Sequence, residues 1–237
     1  MFFVAGSLQN GFWASLNSTL VLTAVIVLGI CMTFFVSGLL SRTVLKGVPS
    51  SFTLELPPYR KPQIGKVIVR SICDRTLFVL GRAVMVAAPA GLLIWILANV
   101  TIGNVTILTY CTQFLDPFAH LIGLDGVILM AFILGFPANE IVFPIILMAY
   151  LATGNLTDLP SLTALKEILV QNGWTWLTAL CTVLFSLMHW PCSTTCLTIY
   201  KETGSWKWTA AAMAIPTGIG VVLCFFITTV VRLLGWA

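Results

Sequence analysis

The feature that most constrains this chain is residues 135–144, GFPANEIVFP, set in the middle of a hydrophobic run. Residues 127–136 are apolar apart from Gly135, and residues 141–151 are nearly so. Between them stand Pro137, Asn139 and Glu140, with Pro144 one turn further on. Ten helical residues rise about 15 Å, half of a hydrocarbon core of about 30 Å. If the whole run crosses, the Glu140 carboxyl falls near mid-bilayer. Proline removes an amide donor and clashes with the preceding turn, so Gly135, Pro137 and Pro144 predict a broken helix. An ionisable group at such a break is by default a functional site. The plainer alternative is a kinked span whose Glu140 is neutralised or capped by a neighbour; charge and break falling together favour function.

Composition sets the solvent. The chain is 59% hydrophobic and 8% charged, with a mean hydropathy of +1.02. That lies far outside soluble usage and predicts an all-α, polytopic membrane protein with about five hydrophobic segments, two of them broken by proline near mid-membrane. Eight of the 12 Lys and Arg residues lie between Arg42 and Arg82, a block expected on the cytoplasmic side. Flanking spans make this a topological signal, not a nucleic-acid patch. The seven Cys are dispersed through apolar runs and form no disulfide framework. The N-terminus lacks the basic start of a signal peptide.

In chain order, residues 1–40 read as a weak lead-in, anchored by Trp13, and a first span ending in the cytoplasm at Arg42 and Lys46. Residues 41–76 form a basic cytoplasmic and interfacial segment, with Pro57, Pro58 and Pro62 favouring extended chain and residues 65–74 a headgroup-plane helix. Residues 77–237 form the membrane domain. In it, residues 76–100 cross outward, with Arg82 snorkelling and Pro89 as a kink. Residues 101–125 carry no Lys or Arg and connect outside the cytoplasm, with an interfacial helix over 115–126 and Pro117 in its first turn. The Asn104-Val105-Thr106 sequon is read as chance, and His120 as surface chemistry. Residues 153–172 begin polar and turn amphipathic. Residues 174–190 stop at Pro191 and resume beyond it, and 206–236 are bent or interrupted near Pro216. A single crossing of 174–200 would put Lys201 and Lys207 outside, against the positive-inside rule. A hairpin folding back at Pro191 repairs this and is the preferred reading.

The second break, residues 189–196, reads HWPCSTTC. His189, Cys192 and Cys196 are spaced to share a helix face, and Pro191 suits the first residue of a new half-helix. Imidazole and thiolate match borderline metals such as Fe(II) and Zn(II), and a carboxylate adds a hard, neutralising ligand. Glu140 and Asn139 from one break, meeting Cys192, Cys196 and His189 from the other, would make a mid-membrane cation site. Against this, membrane Cys are commonly inert and small, and His189 beside Trp190 suits an interface. Ser193, Thr194 and Thr195 either coordinate or satisfy carbonyls freed by Pro191. No phosphate-cradling loop, nucleophile elbow or zinc-protease motif is present, so no enzyme is expected.

At residues 55–62 (ELPPYRKP), 135–144, 190–196 (WPCSTTC) and 204–208 (GSWKW), the chain resembles the C-terminal membrane, or gate, half of the ferrous iron transport protein B family. The resemblance implies a Fe(II) importer of the bacterial cytoplasmic (inner) membrane, with Glu140 and Cys192 lining the iron path and Fe(II) as cargo, with no permanently bound cofactor. It also implies a GTPase-bearing N-terminal half as partner, since that domain and the first gate half are missing here. The competing readings are a gate-type carrier of an organic solute such as a nucleoside, and a non-transporting partner subunit or fragment. Besides Fe(II), the partner expected in every case is the lipid bilayer; nucleic acid is not.

Overall fold

The computed structural model describes residues 11–43, 64–70, 76–154 and 162–235. The lead-in up to Asn10 and the proline-rich segment before Ile64 lie outside them. The elements are α1 (Gly11–Thr43), α2 (Ile64–Arg70), α3 (Phe78–Asn99), the strands β1 (Thr101–Ile102) and β2 (Val105–Thr106), α4 (Ile107–Leu121), α5 (Gly126–Leu134), a 3-10 turn (Asn139–Ile141), α6 (Val142–Leu151), α7 (Leu162–Gln171), α8 (Trp176–Met188), α9 (Ser193–Thr203) and α10 (Trp206–Leu233). The protein is an all-α, multi-pass membrane protein. Three stretches are long and apolar enough to cross a bilayer alone: Leu16–Arg42, Trp176–Thr203 and Trp206–Leu233. The 22 residues of α3, at about 33 Å, also match the hydrocarbon thickness.

The run expected to cross through GFPANE turns back on itself instead. Helices α5 and α6 pack side by side, and Asp125, which caps α5, accepts a hydrogen bond from the Tyr150 hydroxyl at the far end of α6. Two short arms whose outer ends touch form a re-entrant hairpin with its tip at residues 135–141. The reason is local. Asp125 takes the Ile128 amide at 2.6 Å and starts α5, while Pro137 ends the turn that follows it. Pro144 breaks nothing, because it sits in the first turn of α6, where its missing amide has no helical partner. Gly135 is required by packing: a Cβ there would strike Val142 on the opposite arm and lie 3.0 Å from the Ala131 carbonyl. Nine residues of α5 carry the tip, with Glu140 on it, about 14 Å from the Asp125 end of the hairpin.

The other break behaves in the opposite way. Helices α8 and α9 run on as one stretch, Trp176–Thr203, and the hairpin expected at Pro191 is absent. Helix α10 shows why. It packs antiparallel along both: Gly220 abuts Met188, and Cys224 and Thr228 meet Cys181 one to two turns further out. A Cβ on Gly220 would fall 2.8 Å from the Met188 Cβ, so this close crossing needs glycine. Helix α10 itself continues through Pro216 without interruption. With one re-entrant hairpin before it and one crossing through Pro191, Lys201 and Lys207 lie at the end where α3 begins, after the basic block. Positive-inside topology is satisfied by a hairpin, but in the other broken segment.

The opposite end is tied laterally. Asn99 Nδ2 donates to the Gly154 carbonyl at 2.9 Å, Trp174 Nε1 to the Tyr150 hydroxyl at 2.8 Å, and the Arg232 guanidinium to the His120 carbonyl at 2.9 Å. Both ends of α4 belong to this layer, since Ile107 bonds to Val100 and Leu124 to Ala119. The helix therefore lies along the surface. It starts earlier than the spacing suggested, placing Pro117 inside it. Thr106 caps it by accepting from the Thr109 amide. His120, expected to be inconsequential, pairs with Asp116 at 3.1 Å, and Asp116 accepts from the Gly126 amide at the start of the hairpin.

Candidate functional site

The two breaks meet. The hairpin tip leaves the Phe136 and Pro137 carbonyls without helical partners, and the interruption before α9 leaves amides unpaired at its first turn. Each supplies the other: the Ser193 amide donates to Phe136 O at 2.9 Å, and Ser193 Oγ to Pro137 O at 3.4 Å. Ser193 thus satisfies carbonyls freed at the first break, not those freed by Pro191. Helix α5 is held against α8 by Phe132 and Phe185, edge to face with centroids 4.9 Å apart. On its other side the tip borders a cavity of about 500 Å³ against α3, lined by Ala87, Ala90, Gly91, Pro137 and Ala138 among others.

Cys192 is the N-cap residue of α9, so the half-helix begins two residues after Pro191. Its half-buried sulfur lies 3.2 Å from both the Thr194 and Thr195 hydroxyls. Cys196, one turn on, is buried and points its thiol at the Pro191 carbonyl, 3.5 Å away. His189 closes α8, donating its amide to Phe185 O at 2.7 Å. Its Nδ1 lies 2.7 Å from the Ser186 carbonyl, and its ring rests 5.0 Å from that of Phe132. Asn139 and Glu140 stand exposed on the tip.

The backbone of the two breaks is therefore joined, and the candidate side chains are distributed around the joint. They are not drawn into one cage: among the described residues no three His, Cys, Asp or Glu side chains are grouped to hold a metal ion. Sequence reasoning missed the roles of two contributors. Ser193 was one of three hydroxyl residues, with nothing to single it out. Asp125 was recognisable as a residue preceding an apolar run, yet its partner Tyr150 lies 25 residues away and no local pattern announces it. Burial raises the Asp125 carboxyl above its ordinary value of 3.8, against the lowering effect of the bonds from Tyr150 and Ile128.

A re-entrant helical hairpin seated on an interrupted membrane helix, with polar groups at both interruptions, defines a polytopic membrane domain of the broken-helix kind. The chain belongs to the gate family, whose model, described as nucleoside recognition, matches residues 80–206. The model for the ferrous iron transport protein B C terminus matches residues 22–73. Among curated proteins the chain is similar to the Fe(2+) transporter FeoB of Staphylococcus aureus (strain COL), at 31% identity over 88% of this chain and 31% of the relative. It is also similar to the Fe(2+) transporter FeoB of Synechocystis, at 27% identity over 86% of this chain and 32% of the relative, and of Methanocaldococcus jannaschii, at 24%, 91% and 32%. The chain thus spans about a third of the length of these relatives. No solved structure matches it. The likeness read from the four motifs to a C-terminal gate half is borne out.

Proposed function

We propose that this chain is the C-terminal permease part of a ferrous iron importer of the bacterial inner membrane, and that Fe(II) passes where the hairpin tip meets the α8–α9 break. The observation that carries the reading is the Ser193–Phe136 bond. It fixes a carboxylate-bearing turn beside a thiol-bearing helix start, and lipid does not tolerate an uncompensated carboxylate. Glu140 neutralises the ion's charge and Asn139 adds a carbonyl. Cys192, with Cys196 and His189 as further donors, replaces water ligands. A thiolate ligand must first lose its proton, so metal binding weakens in acid. Fe(II) is cargo, and no permanently bound cofactor is assigned.

Exposure of Asn139 and Glu140 on the tip supports a partner. A charged group facing acyl chains is costly, so this face is suited to cover by the remainder of a longer transporter, including a GTPase-bearing half. The relatives' extra two thirds of length is in keeping with this. Nucleoside transport, which the family description suggests, finds less support, because the cavity at the tip, lined by Ala, Gly, Ile, Trp, Pro and Met residues, offers few polar side-chain groups to orient a base or ribose.

The test is anaerobic uptake of radiolabelled Fe(II) and nucleosides into proteoliposomes, with the chain alone and with a GTPase-bearing half supplied. The reading expects Fe(II) uptake that Glu140→Gln abolishes while protein remains in the membrane. Uptake of nucleosides but not Fe(II), or Fe(II) uptake that survives Glu140→Gln, overturns it. Uptake only with the added half assigns this chain as one subunit of the path.

A further inference from the structure

Two cavities adjoin along α3. The first, of about 500 Å³, lies between α3 and the hairpin tip, with Ala87, Ala90, Gly91, Ile94, Pro137 and Ala138 among its walls. The second, of about 400 Å³, lies at the end of Asn99 and Tyr150, bounded by β2, α4 and the last turn of α6. Met148 and Gly154 line both, so the two are neighbours. The chemistry changes from one to the other. The first is apolar, whereas the second is lined by Asn104, Thr106, Thr109 and Thr112 as well as by apolar residues. Together they make one groove, polar at its mouth and apolar below.

The small residues on the α3 wall do not serve close packing. A Cβ on Gly91 would meet nothing within 4 Å, unlike Gly135 and Gly220, which their neighbours enclose. From Ala98 to Ala87, α3 descends about 16 Å, one leaflet of a hydrocarbon core of about 30 Å. Trp95, exposed on the same wall, stands one turn before Asn99, where an indole suits the headgroup boundary. A guest with a polar end and an apolar tail one leaflet long is a membrane lipid. A crossing helix of another chain would have to run on through the mouth between β2, α4 and α6, whereas a lipid ends there.

The mouth also selects. None of its wall residues is charged, and residues 101–125 hold no Lys or Arg, so nothing there draws an anionic headgroup. The Thr106 and Thr109 hydroxyls lie 2.9 Å apart. That bond uses one hydroxyl hydrogen and leaves the other for a lipid ester carbonyl.

We propose that this groove binds one phospholipid without net charge, its glycerol esters at Asn104, Thr106 and Thr109 and one acyl chain along Ala98, Ile94, Gly91 and Ala87. The chain ends against Pro137 and Ala138, so lipid packs the apolar flank of the turn that carries Glu140. Neither Asn139 nor Glu140 is among the walls. The site does not depend on what passes the joint.

The test uses the full chain in nanodiscs of mixed phosphatidylcholine and phosphatidylglycerol, with a trace of either lipid carrying a photoreactive diazirine. Adducts are mapped by peptide mass spectrometry. With the diazirine at the acyl end of phosphatidylcholine, adducts are expected in residues 87–91 and 137–141; beside the ester, in residues 104–109. The phosphatidylglycerol probe is expected to label these segments less, while both probes label the exposed Phe34 of α1 equally. Gly91→Leu fills the groove without a clash and adds a better helix former. It is expected to abolish adducts in residues 137–141 and to leave those at Phe34 unchanged. Adducts in 137–141 that persist in Gly91→Leu, equal or stronger labelling of the groove by phosphatidylglycerol, or a groove that neither probe labels because a protein segment or nothing fills it, overturns the proposal.

Discussion

Ser193 carries the joint through two atoms, its amide and its hydroxyl, and both can be removed without disturbing the helix it begins. It is the first residue of α9, a position where proline is well accepted, and Cys192 before it is extended at φ −62°, ψ 159°, as a residue before proline should be. Ser193→Pro is therefore expected to leave α9 formed while cutting the hairpin tip loose. Amide exchange in residues 135–141 should rise, and Fe(II) uptake should fall at least tenfold. Unchanged exchange at the tip would show that the bond to Phe136 holds nothing. Asp125 offers a pH test. Its carboxyl is raised by burial, so its contribution to stability is fully present below its ordinary value near 3.8 and is lost as pH rises through the raised value. Asp125→Asn cannot ionise, so its thermal midpoint should lack that decline. A variant that tracks the parent across the acid range would refute the assignment.

At the level of elements, the two broken segments differ because of what flanks each proline. Before Pro137 lie nine helical residues capped by Asp125, and after it a turn that restarts at once under Pro144, so two short arms form and close on each other. Around Pro191 the chain extends for only four residues, and α10 packs along both sides of the gap. The prolines, the polar residues and the two interruptions were legible in the sequence. Which interruption reverses the chain was not, because that depends on Tyr150 meeting Asp125 and Gly220 meeting Met188, contacts between residues far apart in the chain. The low hydrophilicity of residues 127–151 favoured a simple crossing for the same reason a buried hairpin does: both sit in lipid. Gly220→Leu is expected to force α10 off α8, costing about 1–3 kcal/mol as overpacking does. It should be seen as a lower midpoint of thermal unfolding in detergent, with Gly218→Leu, where a Cβ meets nothing within 4 Å, as the neutral comparison. Equal effects at both positions would deny the close crossing.

For the molecule as a whole, one hairpin and one through-going break decide which loops share a side of the membrane. Residues before α8 belong with the layer of Asn99, Tyr150 and Arg232; residues after α9 belong at the opposite end, with the start of α3. That arrangement puts Lys201 and Lys207 at the end where α3 begins without a second reversal, as the positive-inside rule asks, and it keeps Glu140 on the turn that meets α9. The most direct measurement is labelling of Asn172→Cys and Glu202→Cys with a membrane-impermeant maleimide, in a chain otherwise free of cysteine, before and after permeabilising cells. This topology predicts that Asn172→Cys reacts from outside and Glu202→Cys only after permeabilisation. The reverse pattern would mean that GFPANE crosses after all, and labelling of both from one side would put the reversal at Pro191; either result contradicts it.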